Sequence, residues 1–288
     1  MSLNLNYFTL LRPKHWLKNV LIGLPLLLSN QFTASSLLHF LSGFIAFSAL
    51  ASGGYILNDI RDVEKDRVHQ KKKFRPIAAG SVDVANAFYL AVLLILLSFL
   101  ISYTLGLNTF FIAILYFAVN YLYSLYGKEI RFFDILLLSS FYIIRIFYGA
   151  AINGVPLTGW FMATITFAVL SLSVNKRFME CKNSSFDKIP GRGYIKNDQY
   201  FLQILMINLT IGAMVLLNIH AYFVLLISSP IFFVLINLST SYIALLYFDD
   251  TSNKSEDPVE RILNSKSLLV TLCIILFVYV YEILMKGK

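Results

Sequence analysis

Apolar runs long enough to cross a bilayer recur through the whole sequence, and charge is concentrated in alternate gaps between them. In hydrocarbon every backbone N–H and C=O must be satisfied within the segment, so such runs fold as helices. Nine candidate spans are read, at roughly 15–29, 36–57, 83–104, 108–125, 133–152, 158–174, 200–218, 221–248 and 267–285. Pro25 predicts a bend in the first, and Pro230 a kink in the long eighth. Of 288 residues, 58% are hydrophobic and 14% charged, which excludes an ordinary soluble domain, where charge is nearer about a quarter. The expected class is an all-α integral membrane protein with one domain over residues 1–288.

The gaps near 30–35, 105–107, 153–157 and 219–220 hold no Lys, Arg, Asp or Glu. The N-terminal residues and the segments 58–82, 126–132, 175–199 and 249–266 hold nearly all the charge. The positive-inside rule then places the charged side and the N-terminus in the cytoplasm of a multi-pass protein of the inner (plasma) membrane. Met1 to Arg12 is polar and shows no cleavable signal pattern, so the first apolar run reads as retained. The net charge of +8 lies along one membrane face, an argument against a nucleic-acid partner. Cys181 is expected in a loop on the basic side and Cys273 inside a span, both as free thiols.

The stretch from Asn58 to Arg67 closes the second apolar run. On a helix Asn58, Asp62 and Asp66 recur at i, i+4 and i+8 and share a face, with Asp59 beside them. Three or four hard oxygen ligands on one stripe suit Mg²⁺, whose remaining positions go to waters and substrate phosphates. Lys65, Arg67 and Lys71-Lys72-Lys73-Phe74-Arg75 follow at once, so the pattern suggests a Mg²⁺–diphosphate site. The bland alternative is a charged membrane-edge loop with balanced acids and bases.

Other basic residues sit at the same face. Lys14 and Lys18 are four apart and would share a helical face; Lys14 reads as an interfacial anchor, Lys18 equally as an anchor or a phosphate contact. Arg75 precedes Pro76, which fixes the backbone beside a guanidinium suited to bidentate phosphate binding. Tyr123 and Lys128 end the fourth span, as an aromatic belt with a snorkelling lysine or as substrate contacts. Arg145 lies mid-span, where a charge is costly and marks function by default; the aspartate stripe or a phosphate is its natural counter-ion. Lys176, Arg177 and Glu180 follow the sixth span, either as a helix-end ion pair between Lys176 and Glu180 or as a basic counterpart to the aspartates. The polar loop beyond them, to Lys196, could form a mobile cover. Asp249-Asp250 and Glu256-Asp257 read as a solvated loop.

Taken together these stretches resemble the UbiA superfamily of intramembrane transferases, through Asn58-Asp59-x-x-Asp62-x-x-x-Asp66. The resemblance implies a bundle of nine transmembrane helices around a central cavity open to the cytoplasmic side, with Mg²⁺ as cofactor. Typical prenyltransferases of the superfamily carry a second aspartate-rich motif after the sixth span. This chain has Asn175-Lys176-Arg177-Phe178-Met179-Glu180 there, which is basic. It looks instead like the decaprenyl-phosphate phosphoribosyltransferase branch, a likeness extending to Arg12–Val20, Lys73–Gly80, the Arg145 helix and Glu256–Glu260. That branch implies transfer of 5-phosphoribose from 5-phosphoribosyl 1-diphosphate to a polyprenyl phosphate, with release of diphosphate.

On this reading Asn58, Asp62 and Asp66 bind the metal. Asp59, Asp62, Asp66 and Arg145 are the catalytic candidates. Lys18, Arg67, Arg75, Tyr123, Lys128, Lys176 and Arg177 are candidates for substrate contacts. The alternatives are a prenyl transfer from a diphosphate to an aromatic or other small acceptor and, in another class, a lipid-phosphate transporter. The sequence leaves a homo-oligomer open.

Overall fold

The computed structural model describes residues 2–29, 33–69, 72–189, 191–248 and 264–286. Asp249-Asp250, Glu256-Asp257 and the rest of the stretch to Glu260 lie outside the described residues, as do Lys71 and Pro190. Among the described residues the regular elements are helices, with one isolated antiparallel bridge between Lys188 and Ile195. The α-helices are α1 (Ser2–Leu10), α2 (Leu24–Ser29), α3 (Ala34–Arg61), α4 (Val63–Val68), α5 (Val84–Leu105) and α6 (Leu107–Leu125). They continue with α7 (Phe133–Asn153), α8 (Gly159–Asn183), α9 (Asp198–Phe223), α10 (Pro230–Phe248) and α11 (Lys266–Lys286). Five of them, α3, α5, α6, α7 and α9, are long and apolar enough to cross a membrane.

Three expectations change. The predicted first span is not one helix: Pro13–Gly23 is a 3₁₀ segment that hands over to α2. Three residues complete a 3₁₀ turn, so Lys14 and Lys18 point about 120° apart, and it is His15 and Lys18 that eclipse. The predicted eighth span is split as well. Its first residues belong to α9, and Pro230 opens α10, where its missing N–H costs no helical bond. Finally, α8 runs on to Asn183, so Asn175 to Glu180 and Cys181 lie on a helix rather than in a loop. Both cysteines are free thiols, Cys181 buried and Cys273 exposed.

The chain divides into two compact units, Met1–Leu125 with Ile144–Val155, and Tyr126–Ile143 with Pro156–Lys288. In the first, α3 starts from a capping box between Thr33 and Ser36 and packs along α5. Leu10, Ile56, Ile77, Val82, Ala87 and Ala91 form a core beneath the charged end of α3. Gly149 lets α7 touch the backbone of the 3₁₀ segment: a Cβ there would lie 1.9 Å from the Ile22 carbonyl oxygen. In the second unit α8 packs on α9 and α10 on α11. Val174, Phe178, Met179, Leu202 and Met206 bury together with Ile189 and Tyr194, which come from the loop after α8.

Candidate functional site

The aspartate stripe straddles a helix junction. α3 stops at Arg61, Asp62 turns the chain at φ −91° and ψ 9°, and α4 resumes at Val63. Helical bonding nevertheless carries through, because the Asp62 N–H donates to the Asn58 carbonyl at 2.9 Å and Asp66 N–H to the Asp62 carbonyl at 2.8 Å. The four polar side chains thus lie where α3 passes into α4.

Two of the carboxylates are buried, Asp59 at 3% exposure and Asp66 at 2%. Each is met by arginine. Arg12 Nη2 donates to both oxygens of Asp59, at 2.6 and 2.8 Å. Arg75 Nη1 donates to Asp59 Oδ1 at 3.0 Å and to Asp66 Oδ2 at 2.6 Å, so one guanidinium nitrogen bridges the pair. Arg12 reaches Asp59 from a left-handed backbone position, φ 53°, and its guanidinium also lies 5.1 Å from the centroid of the Tyr55 ring. Arg75 is fixed by the loop it opens. The Pro76 carbonyl accepts from the N–H groups of Ser81 and Val82 and from the Ser81 hydroxyl, while Ile77 and Val82 bury beneath. Gly80 takes φ 72° at the turn, a value that costs glycine little.

Asn58 and Asp62 are less enclosed. The Asn58 side-chain oxygen accepts from the Ser124 hydroxyl and from Arg61 Nη2, and Arg61 Nε lies 3.5 Å from Asp62. Arg67 is exposed and pairs with Glu64 at 2.7 Å. Lys18, Tyr123 and Lys128 are half-buried: Lys18 on the 3₁₀ segment, Tyr123 on α6, and Lys128 on the short turn after it.

Among the described residues no three His, Cys, Asp or Glu side chains are gathered into a metal cage. Mg²⁺ needs none, since one or two carboxylates with waters and substrate phosphates suffice. The donor set fits that ion on an observation of this structure: two buried carboxylates already converge on a cation, the Arg75 guanidinium.

Arg145 sits deeper in the first unit, 2% exposed. Its Nε donates to Asn19 Oδ1 at 2.8 Å and its Nη2 to the Tyr116 hydroxyl at 3.1 Å, with the Phe47 and Tyr116 rings each 5.1 Å away. Asn19 in turn donates to the Ser48 hydroxyl, and Trp16 to that of Ser52. Asn19 and Tyr116 are partners the sequence reading did not name; the polar Asn in an apolar entry segment was the available signal.

The second unit holds another buried ionic network. Arg177 and Asp134 are both fully buried and paired through Arg177 Nε. Arg177 Nη1 also engages Glu180, which Arg192 Nε reaches at 3.2 Å. Glu180 thus receives arginine contacts from the same helix and from the following loop, beside the Lys176 that the sequence offered as its partner. Lys176 itself is half-buried. The Tyr194 hydroxyl donates to Asp134 at 2.6 Å and accepts from the Phe132 N–H at 2.9 Å. A Cβ at Gly193 would lie 2.6 Å from the Glu129 carbonyl oxygen. These contacts pin the loop after α8, which the sequence presented as a mobile cover.

Burial pushes the Glu180 carboxyl upward, but Arg177, Arg192 and Lys176 together hold it below its ordinary 4.5. A depressed carboxyl contributes stability that is present above the unfolded value and lost as pH falls through the lower folded one. Thermal unfolding in detergent is expected to show this unit weakening below about pH 4.5, with a shallower pH slope in Glu180→Gln. An unchanged slope would mean that the network does not set the charge of Glu180.

Among the described residues the chain is helical, with several helices of membrane length, and the class these define is that of helical membrane proteins. The comparisons give the family. A profile of the UbiA prenyltransferase family matches residues 19–259, and the chain belongs to that family, a group of membrane-embedded transferases. It is 36% identical over 174 residues to the decaprenyl-phosphate phosphoribosyltransferase of Mycolicibacterium smegmatis, covering 59% of this chain and 55% of that protein. It is 30% identical over 220 residues to the nodulation protein NoeC of Azorhizobium caulinodans, covering 75% and 71%. The chain spans 53% to 58% of the length of the phosphoribosyltransferases it matches, and 37% of an uncharacterised protein, y4nM, of Sinorhizobium fredii. A UbiA homologue from Archaeoglobus fulgidus, solved with DMAPP and Mg²⁺, superposes with a TM-score of 0.70 at 17% identity, covering 97% of this chain and 99% of that one. At that identity the likeness shows the fold alone.

Proposed function

We propose that this protein transfers 5-phosphoribose from 5-phosphoribosyl 1-diphosphate to a polyprenyl phosphate, in a Mg²⁺-dependent reaction at the cytoplasmic face of the plasma membrane. Nine spans around a central cavity open to that side belong to the same reading. The observation that carries it is the buried Asp59 and Asp66 pair converging on a guanidinium, in a chain similar to proteins named decaprenyl-phosphate phosphoribosyltransferase.

Asn58, Asp62 and Asp66 would hold the metal or its waters. When bound, Mg²⁺ supplies neutralisation of the leaving diphosphate. Arg75 and Arg67, with Lys18 and Tyr123, are assigned to phosphate and hydroxyl groups of the substrates. In the second unit Lys128 and Lys176 are assigned to anionic groups, with Arg177, held by Asp134 and Glu180, fixing that surface. Arg145 orders the 3₁₀ segment through Asn19, and its positive charge favours an anionic acceptor nearby. The acceptor is already an anion, so the protein needs no strong base. Its task is to strip water and align the lipid phosphate with the anomeric carbon.

The test is turnover of purified protein in detergent with Mg²⁺, a polyprenyl phosphate and radiolabelled 5-phosphoribosyl 1-diphosphate. Label passing into the lipid phase, and stopped by EDTA, is expected. One observation favours a second reading: the family that the chain belongs to is described as a prenyltransferase family. Turnover of a prenyl diphosphate with an aromatic acceptor, and none of the phosphoribosyl donor, would establish that reading instead.

A further inference from the structure

From the bridging geometry of Arg75 we infer that this arginine is the resident counter-cation of Asp66 and gives that carboxylate up to the divalent metal, while Asp59 acts as a positioning residue, anchored by Arg12, that keeps Arg75 within reach. The inference rests on the metal–diphosphate reading above and assigns roles within it. Asp59 and Asp66 are alike in burial, yet their surroundings differ. Both oxygens of Asp59 are taken by Arg12 Nη2, and one is shared with Arg75. A carboxylate so covered has little lone-pair capacity left for a metal. Among the described residues Asp66 has one contact of this kind, Arg75 Nη1 on Oδ2.

Charge then dictates the exchange. Two guanidiniums balance two buried carboxylates, which would otherwise be costly as lone charges. Asp66 would be the carboxylate offered to a divalent cation, and Arg75, which now donates to Asp66 Oδ2, would be displaced from it by like charge. Arg75 keeps its bond to Asp59, because Arg12 holds that carboxylate in place. Its remaining N–H groups are then free to take the phosphate oxygens that arrive with the metal. Arg12, which the sequence offered only as part of a flanking motif, becomes the residue that sets where Asp59 stands. The left-handed backbone at Arg12 supports this, since a non-glycine residue holds that conformation against a steric cost. The Pro76-anchored loop limits how far Arg75 moves, so the step is a rotation of a side chain rather than of a segment.

The experiment is equilibrium Mn²⁺ binding to the full chain in detergent, without substrate, read as free Mn²⁺ by electron paramagnetic resonance. Arg75→Gln removes the competitor and is expected to tighten Mn²⁺ binding about three- to tenfold, while weakening capture of the diphosphate donor. Arg75→Lys, which keeps the charge, is expected to bind Mn²⁺ as the unaltered chain does. Asp59→Asn is expected to retain Mn²⁺ binding within about twofold but to raise the KM for the donor about tenfold, with a smaller change in kcat. The inference is overturned if Arg75→Gln binds Mn²⁺ no tighter, if neither chain binds it, or if Asp59→Asn abolishes binding. Tighter Mn²⁺ binding by Arg75→Gln with no phosphoribosyl transfer by any chain would uphold the exchange and remove the substrate reading.

Discussion

Asp66→Asn is expected to lower the proposed phosphoribosyl transfer by about 10³-fold or more while leaving the protein folded. The two effects separate because asparagine keeps the shape and one oxygen of the aspartate. Arg75 Nη1 can still donate to that oxygen, and it retains Asp59 as a charged partner. The half-buried arginine is therefore not stranded, and the loss of stability stays near that of one charge-assisted hydrogen bond, about 1.5–3 kcal/mol. The chemistry loses much more. Removing one group that stabilises transition-state charge costs about 10²–10³ in rate, and loss of a proposed metal ligand would add weaker binding of the ion proposed to neutralise the leaving diphosphate. Initial rates across a Mg²⁺ titration, beside unfolding curves of the same preparations, give both numbers. Transfer within about tenfold of the unaltered chain at ordinary Mg²⁺ would remove Asp66 from the metal set.

The residues of that stripe were legible because helical periodicity is local. Asn58, Asp62 and Asp66 stand four apart, and the i to i−4 bonds persist across the turn at Asp62. Partner choice is not local. Arg12 finds Asp59 across 47 residues, and Arg145 finds Asn19 across 126. No spacing rule pairs residues so far apart. The 3₁₀ winding of Pro13–Gly23 was hidden for a related reason. Runs of 3₁₀ helix this long are uncommon, and this one is tied by bonds from Trp16 to Ser52 and from Asn19 to Ser48, with Gly149 allowing the close approach at Ile22. Pro230 shows the opposite case. Its missing N–H was visible in the sequence, but whether it kinks a helix or starts one depends on where the previous helix stops, and α9 stops at Phe223.

The buried pair in the second unit gives the other large effect. Asp134→Leu is expected to destabilise the protein by about 3–5 kcal/mol, since it leaves the fully buried Arg177 without its carboxylate partner on α7. It also removes the acceptor of the Tyr194 hydroxyl, which helps to hold the loop after α8. Tyr194→Phe deletes that hydrogen bond together with the one the hydroxyl accepts from the Phe132 N–H, and is expected to cost about 1–3 kcal/mol. Asp134→Leu combined with Arg177→Met should be less destabilising than Asp134→Leu by itself, because the second change removes a fully buried guanidinium that has lost one of its two carboxylates, and Glu180 keeps Arg192. Denaturant unfolding in micelles measures all three. The double variant also separates two roles for Arg177. If the arginine only ties α8 to α7, folded double variant transfers phosphoribose at close to the normal rate per molecule. If its charge reaches a substrate phosphate, transfer falls about 10²-fold although the fold is restored. A cost below about 1 kcal/mol for Asp134→Leu would mean that Arg177 finds water or another partner, and that the pair does not hold this unit together.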